Sequence, residues 1–170
     1  MQVTKELSVE EEYESVLTLL GITAESYIRE LLNEARGKVI IIRDDQKGKY
    51  LAGTVKNLKL EIEEVLDRKE AAKFLRGIEN GDIIMKTRKH LYVIEVKATT
   101  RPITEKVIKK LISVVEKLKI KHPETKGILI QLGTGEITPP AITQATKNEI
   151  VIITREGIRL LAKKLNYPKP

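Results

Sequence analysis

Two apolar runs separated by four polar residues constrain this chain most. Gly81-Asp82-Ile83-Ile84-Met85-Lys86 and Leu91-Tyr92-Val93-Ile94-Glu95-Val96-Lys97-Ala98 both read as β-strands, and Thr87-Arg88-Lys89-His90 connects them as the loop of a hairpin. With Lys86 opposite Leu91, each step back along the first strand matches a step forward along the second, so Asp82 falls opposite Glu95. Directly opposed residues share a face with Cβ atoms about 5 Å apart, and two like charges there are destabilising unless a cation compensates. Side chains alternate along a strand, so Glu95 and Lys97 take one side while Ile94 and Val96 turn to the other, toward a core. The pattern gathers two carboxylates and an ammonium beside an apolar wall.

That trio suits metal-assisted attack of water on a phosphodiester. Two carboxylates hold Mg²⁺ or Mn²⁺ through oxygen and leave positions for a phosphate oxygen and the nucleophilic water. The Lys97 ammonium is suited to orient or help deprotonate that water and to stabilise charge growing on the phosphoryl oxygens.

These residues resemble the PD-(D/E)XK nuclease superfamily, which includes restriction endonucleases, archaeal Holliday-junction resolvases and Mrr-type restriction enzymes. Asp82 is similar to its acidic residue, Leu91 to Ile94 to its hydrophobic strand, and Glu95-Val96-Lys97 to its E-x-K triplet. The order that follows is a helix, a strand over residues 127–132, a helical stretch over 139–148, a strand over 149–153 and a helix over 156–165. It is similar to the C-terminal half of the Mrr-like branch, so the resemblance covers roughly Asp82 to Leu165. It implies an α/β fold, a restriction endonuclease-like central mixed β-sheet flanked by helices. It further implies a Mg²⁺-dependent DNA endonuclease with Asp82 and Glu95 as metal ligands and Lys97 as the catalytic lysine. A further acid on an early helix is implied too, with Glu30 the candidate and Glu34 beside it, as is pairing of two copies into a homodimer. Two departures stand out: Gly81 occupies the position of the family proline, and residues 44–81 separate the early strand from Asp82 by more than a compact core needs.

Other readings compete for the same residues. Glu and Lys are common enough here for E-x-K triplets to arise by accident, as Glu124-Thr125-Lys126 does in a predicted loop, which would leave 82–97 an ordinary surface hairpin with an ion pair. Gly133-Thr134-Gly135 after an apolar strand suggests a nucleotide-binding turn but lacks the third glycine of a dinucleotide fingerprint and any P-loop lysine, and a tight turn explains it. The N-terminal order of helix, Gly21-Ile22-Thr23 and Ser26 to Leu31 looks like the helical part of a ribbon-helix-helix protein. The alternative function is therefore a non-catalytic DNA-binding protein, on that module or on an inactive nuclease fold.

Composition narrows the partners. The chain has 170 residues, 41% hydrophobic, enough for one good core and short for two. We expect a single domain, with residues 1–37 as a helical segment packed on an α/β core of residues 38–170. The absence of cysteine excludes disulfides and thiolate metal sites, and His90 and His122 read as surface residues. A net charge of +7 favours a polyanion, most simply DNA. Aromatic residues, at 4%, are too few for single-strand binding by base stacking. No apolar run approaches membrane-spanning length and Met1 to Glu6 carries no signal-peptide core, so the expectation is a cytoplasmic protein without a membrane partner. Richness in Lys, Glu and Ile resembles proteins of hyperthermophiles.

Ser8 with Glu11 reads as a capping box opening a helix through Leu20, Thr23 caps a second over residues 24–36, and Gly37 ends it. Residues 38–43 form a strand, 44–48 a turn and 49–52 its potential partner, while 58–65 alternates and fits strand or helix. Residues 67–76 read as a helix. The clearest periodic element spans residues 104–121, where Val107, Leu111, Val114, Val115 and Leu118 recur at helical spacing and leave Lys106, Lys109, Lys110 and Lys117 outside. Lys106 and Lys110 are candidate phosphate contacts, with a solvated face as the plainer reading. Thr99, Thr100 and Arg101 leave the Glu95-Lys97 strand where a scissile phosphate would sit. Gln131 lies close to that point if its strand runs parallel, and a buried strand-end amide is the other reading.

Overall fold

The computed structural model describes residues 23–44, 56–74 and 83–170. Asp82, the predicted helix over residues 8–20 and the predicted strand over 49–52 lie outside the described residues. The elements in chain order are α1 (Ala24–Glu34), β1 (Val39–Asp44), β2 (Lys56–Val65), α2 (Arg68–Phe74), β3 (Ile83–Thr87), β4 (Leu91–Lys97), α3 (Glu105–Lys119), β5 (Thr125–Gln131), α4 (Pro139–Lys147), β6 (Val151–Thr154) and α5 (Arg155–Lys164).

Local chemistry accounts for the boundaries. The Thr23 side chain accepts the Ser26 amide at the start of α1, and Gly37 follows its end at φ +80°, a backbone conformation that side-chain-bearing residues disfavour. Asp67 accepts the Glu70 amide at 2.8 Å to open α2. Thr138 caps α4, where Pro139 and Pro140 occupy the first turn and forfeit no helical hydrogen bond. The ambiguous stretch 58–65 is a strand: Leu60 and Ile62 are buried with Leu58 packed beside them, while Lys59 and Glu63 are exposed, a period of two that a helix cannot satisfy.

The six strands form one sheet in the order β1-β2-β3-β4-β5-β6, antiparallel from β1 to β4 and parallel from β4 to β6. β2 is shared, its first half pairing with β1 and its second with β3, with a register shift between Ile62 and Glu64. A bulge bends its strand. β1 is carried round until it lies against β6 and α5. The hairpin register is the one expected from loop length, with Ile83 opposite Ile94, Ile84 opposite Val93, Met85 opposite Tyr92 and Lys86 opposite Leu91.

Both faces of the sheet are covered. On one, Ile83, Met85, Tyr92, Ile94 and Ile130 pack against Ile28 and Leu31 of α1 and Ile158 and Leu161 of α5. On the other, Ile84, Val93 and Leu129 meet Ala71 of α2, Ile108, Leu111 and Val115 of α3, and Ile142 of α4. Burial on both sides explains why β3, β4 and β5 are continuous apolar runs. This is the central mixed sheet flanked by helices that the resemblance implied.

Candidate active site

β4 changes character along its length. Leu91 to Ile94 are buried, and Glu95 to Lys97 are half-buried where the strand leaves the core. Alternation decides where the charged side chains go. Leu91 and Val93 face α3, so Glu95 and Lys97 continue that face, whereas Val96 packs with Ile94 on the side of α1 and α5. The Glu95 carboxylate, 14% exposed, lies 3.3 Å from the Lys97 ammonium, which is 39% exposed. In β5, Leu129 lies opposite Glu95 and Gln131 opposite Lys97.

The connection leaving β4 is fixed by the one leaving β5. Gln131, 3% exposed, accepts the amides of Thr99 at 3.4 Å and Gly133 at 3.0 Å through Oε1. Its Nε2 donates to the carbonyls of Thr99 at 3.2 Å and Gly135 at 3.0 Å. Main-chain bonds lace the same two segments, Leu132 to Lys97, Gly135 to Thr99 and Ile103 to Glu136. A Cβ at Gly133 would collide with the Thr99 backbone, and one at Gly135 with the Arg101 carbonyl. The Gly-Thr-Gly sequence therefore serves close approach of two backbones. Both readings of Gln131 hold: its strand runs parallel to β4 with Gln131 opposite Lys97, and its buried strand-end amide holds the segment that follows Lys97.

The remaining sequence candidates divide by place. The Thr99 hydroxyl accepts the Arg101 amide at 3.0 Å, and Thr100 and Arg101 are exposed on the laced segment. Lys106 and Lys110 are exposed at the start of α3, on the helix that covers the Glu95 face, and line a groove there with Lys109 and Ser113. Glu30 is engaged by the chain terminus, accepting the Tyr167 hydroxyl at 3.1 Å. One acid not singled out from sequence is Glu25, in the first turn of α1. It is 17% exposed and 2.9 Å from Arg29, whose Nε reaches the Leu66 carbonyl at 3.4 Å. The i,i+4 spacing of Glu25 and Arg29 was the available signal.

Glu95 offers hard oxygen donors, and cysteine is absent from the chain. His90 and His122 lie at the other end of β4 and β5, both beside Glu124. That donor chemistry fits Mg²⁺ or Mn²⁺ better than zinc or copper. Among the described residues no three His, Cys, Asp or Glu side chains converge as a metal cluster, and no helix is long and apolar enough to cross a membrane.

The family model described as restriction endonuclease, the Mrr catalytic domain, matches residues 69–162, more than half of the chain and all of β3, β4 and β5. The chain belongs to the Mrr-type restriction endonuclease family. Membership places this Mrr-type chain in the PD-(D/E)XK superfamily, a family of DNA endonucleases, and the sheet is its restriction endonuclease-like fold. No curated protein and no solved structure matches it.

Proposed function

We propose that this Mrr-type protein is a Mg²⁺-dependent DNA endonuclease whose centre is Asp82, Glu95 and Lys97. The register of β3 on β4 carries the proposal: Ile83 lies opposite Ile94, Glu95 is the next residue of β4, and Asp82 is the residue before Ile83 in the sequence. Asp82 and Glu95 would hold the ion, which when bound supplies positive charge to a phosphate oxygen and lowers the pKa of a bound water. Lys97 orients the attacking water and offsets charge on the phosphoryl oxygens as the water oxygen bonds to phosphorus and the ester P–O bond breaks. Its ion pair with Glu95 at 3.3 Å supports that role by keeping the ammonium beside the carboxylate. Thr100, Arg101, Lys106 and Lys110 would contact flanking phosphates, since all four are exposed on segments adjoining the end of β4.

Glu25, largely buried and paired with Arg29, joins Glu30, which accepts the Tyr167 hydroxyl, as a candidate for the early-helix acid. Arg29 lies beside Leu66, whose amide bonds Ile84, the partner of Val93. Cleavage assays on Glu25→Gln and Glu30→Gln tell the two apart, since only loss of the early-helix acid should slow cleavage at unchanged stability.

The test is incubation with labelled duplex, single-stranded, flap and four-way-junction DNA in Mg²⁺, Mn²⁺ or EDTA. Cleavage of at least one substrate only with metal is expected. Binding without cleavage of any substrate would shift the assignment to a DNA-binding protein on an inactive nuclease fold.

A further inference from the structure

At the end of the sheet away from Lys97, a cleft of about 530 Å³ opens beside the β3–β4 connection, lined among others by Lys59, Arg88, Lys89, His90, Tyr92 and Lys126. It is separate from the proposed nuclease centre in two ways. Tyr92 turns to the face of α1 and α5, opposite to Glu95 and Lys97. It also stands three residues before Glu95, about 10 Å along the strand.

The lining has an unequal charge balance and a fixed wall. Lys59, Arg88, Lys89 and Lys126 give four cations against the single carboxylate of Glu61. Glu61 lies 3.7 Å from Arg88, but both are well exposed, so solvent screens that pair and it yields easily to a ligand. The wall combines Leu58, Tyr92 and His90. The His90 ring meets Tyr92 edge-on at 5.8 Å, and its Nδ1 lies 3.3 Å from the Glu124 carbonyl. Thr87 Oγ1 accepts the His90 amide at 3.1 Å and donates to the His90 carbonyl at 3.0 Å, which holds the tip of the hairpin in one shape.

We propose that this cleft binds a nucleoside 5′-phosphate, either as a free nucleotide or as the 5′-phosphorylated end of a strand. The phosphate dianion meets the cations, the base lies against Leu58 and His90, and Glu61 accepts hydrogen bonds from a sugar hydroxyl or a base amine. Inorganic phosphate would use the cations and leave the wall and Glu61 idle. The volume falls within the roughly 300–1,000 Å³ of small-molecule sites.

The experiment measures affinity calorimetrically in EDTA on the full chain carrying Glu95→Ala, so that no strand is cut. The probes are deoxyadenosine 5′-monophosphate, deoxyadenosine, inorganic phosphate, and one short oligodeoxynucleotide with and without a 5′-phosphate. The expected result is saturable binding of a phosphorylated nucleoside at least about tenfold tighter than its unphosphorylated form and than inorganic phosphate. Binding of the mononucleotide identifies the free ligand, and binding confined to the phosphorylated strand identifies a strand end. Lys59→Ala with Lys126→Ala should weaken binding at least about tenfold, while Lys117→Ala with Lys163→Ala, an equal loss of charge elsewhere, should leave it unchanged. Thermal unfolding checks that each variant folds. The proposal is overturned if no phosphorylated probe saturates, if inorganic phosphate or the unphosphorylated strand binds equally well, or if removing Lys59 and Lys126 changes nothing.

Discussion

Single residues divide between those that hold the fold and those proposed for chemistry. Glu95 and Lys97 stand where β4 leaves its core, partly buried and paired, so each is positioned by the strand without being sealed from substrate. Tyr27 is purely structural. Its hydroxyl donates to the Pro168 carbonyl at 2.6 Å and its ring lies 5.9 Å from that of Tyr167, tying α1 to the end of the chain. Burial first, and the neighbouring Tyr167 second, push its phenol pKa well above the ordinary 10.0. Below that pH the phenol is protonated whether the chain is folded or not, and its contribution is constant. Above it the unfolded chain loses the proton while the folded chain keeps it, so stability falls as pH rises. Tyr27→Phe should cost about 1 kcal/mol near neutrality, and its deficit relative to wild type should shrink above about pH 10. Denaturant unfolding across that range measures it, and a constant deficit would refute the assignment.

At the scale of elements, the site depends on two connections built as one. Gly133→Ala sets a methyl group against the Thr99 backbone, which has no rotamer to yield with, so the segment after Lys97 must shift. Gln131→Leu removes the side-chain partner of the Thr99 and Gly133 amides and of the Gly135 carbonyl, at about 1–3 kcal/mol for each group that remains buried, while the Thr99 carbonyl keeps the Gly135 amide. Both variants should lower the melting temperature by several degrees, and Gly133→Ala should reduce cleavage beyond what its loss of stability explains. Differential scanning calorimetry and cleavage assays well below the melting temperature separate the two effects. This clamp was hardly legible in the sequence. Gly133-Thr134-Gly135 looks the same whether it serves a phosphate or a neighbouring backbone, and Thr99 is far away along the chain. The hairpin was legible because loop length and alternation fix register locally, and the observed pairs are those it demands. The bend of β2 at Ile62 and the return of β1 to β6 were not, since both depend on strands distant in sequence.

Over the whole molecule, a net charge of +7 accompanies a sheet with a proposed site at each end. The end carrying Glu95 and Lys97 is flanked by Lys106, Lys110 and Arg101, and the other by the cleft at Arg88 and Lys126. If Lys106 and Lys110 each neutralise one phosphate, Lys106→Ala with Lys110→Ala should reduce the slope of log affinity against log salt by about 2 on duplex DNA. An unchanged slope would return both to a solvated helix face. The most direct test of the central claim is single-turnover cleavage by wild type and by Asp82→Ala, Glu95→Ala and Lys97→Ala in Mg²⁺, with DNA affinity and melting temperature measured on the same samples. Each variant should fold, bind DNA nearly as well as wild type, and cleave at least about 10²-fold more slowly. Undiminished cleavage by the Glu95→Ala protein would contradict that claim.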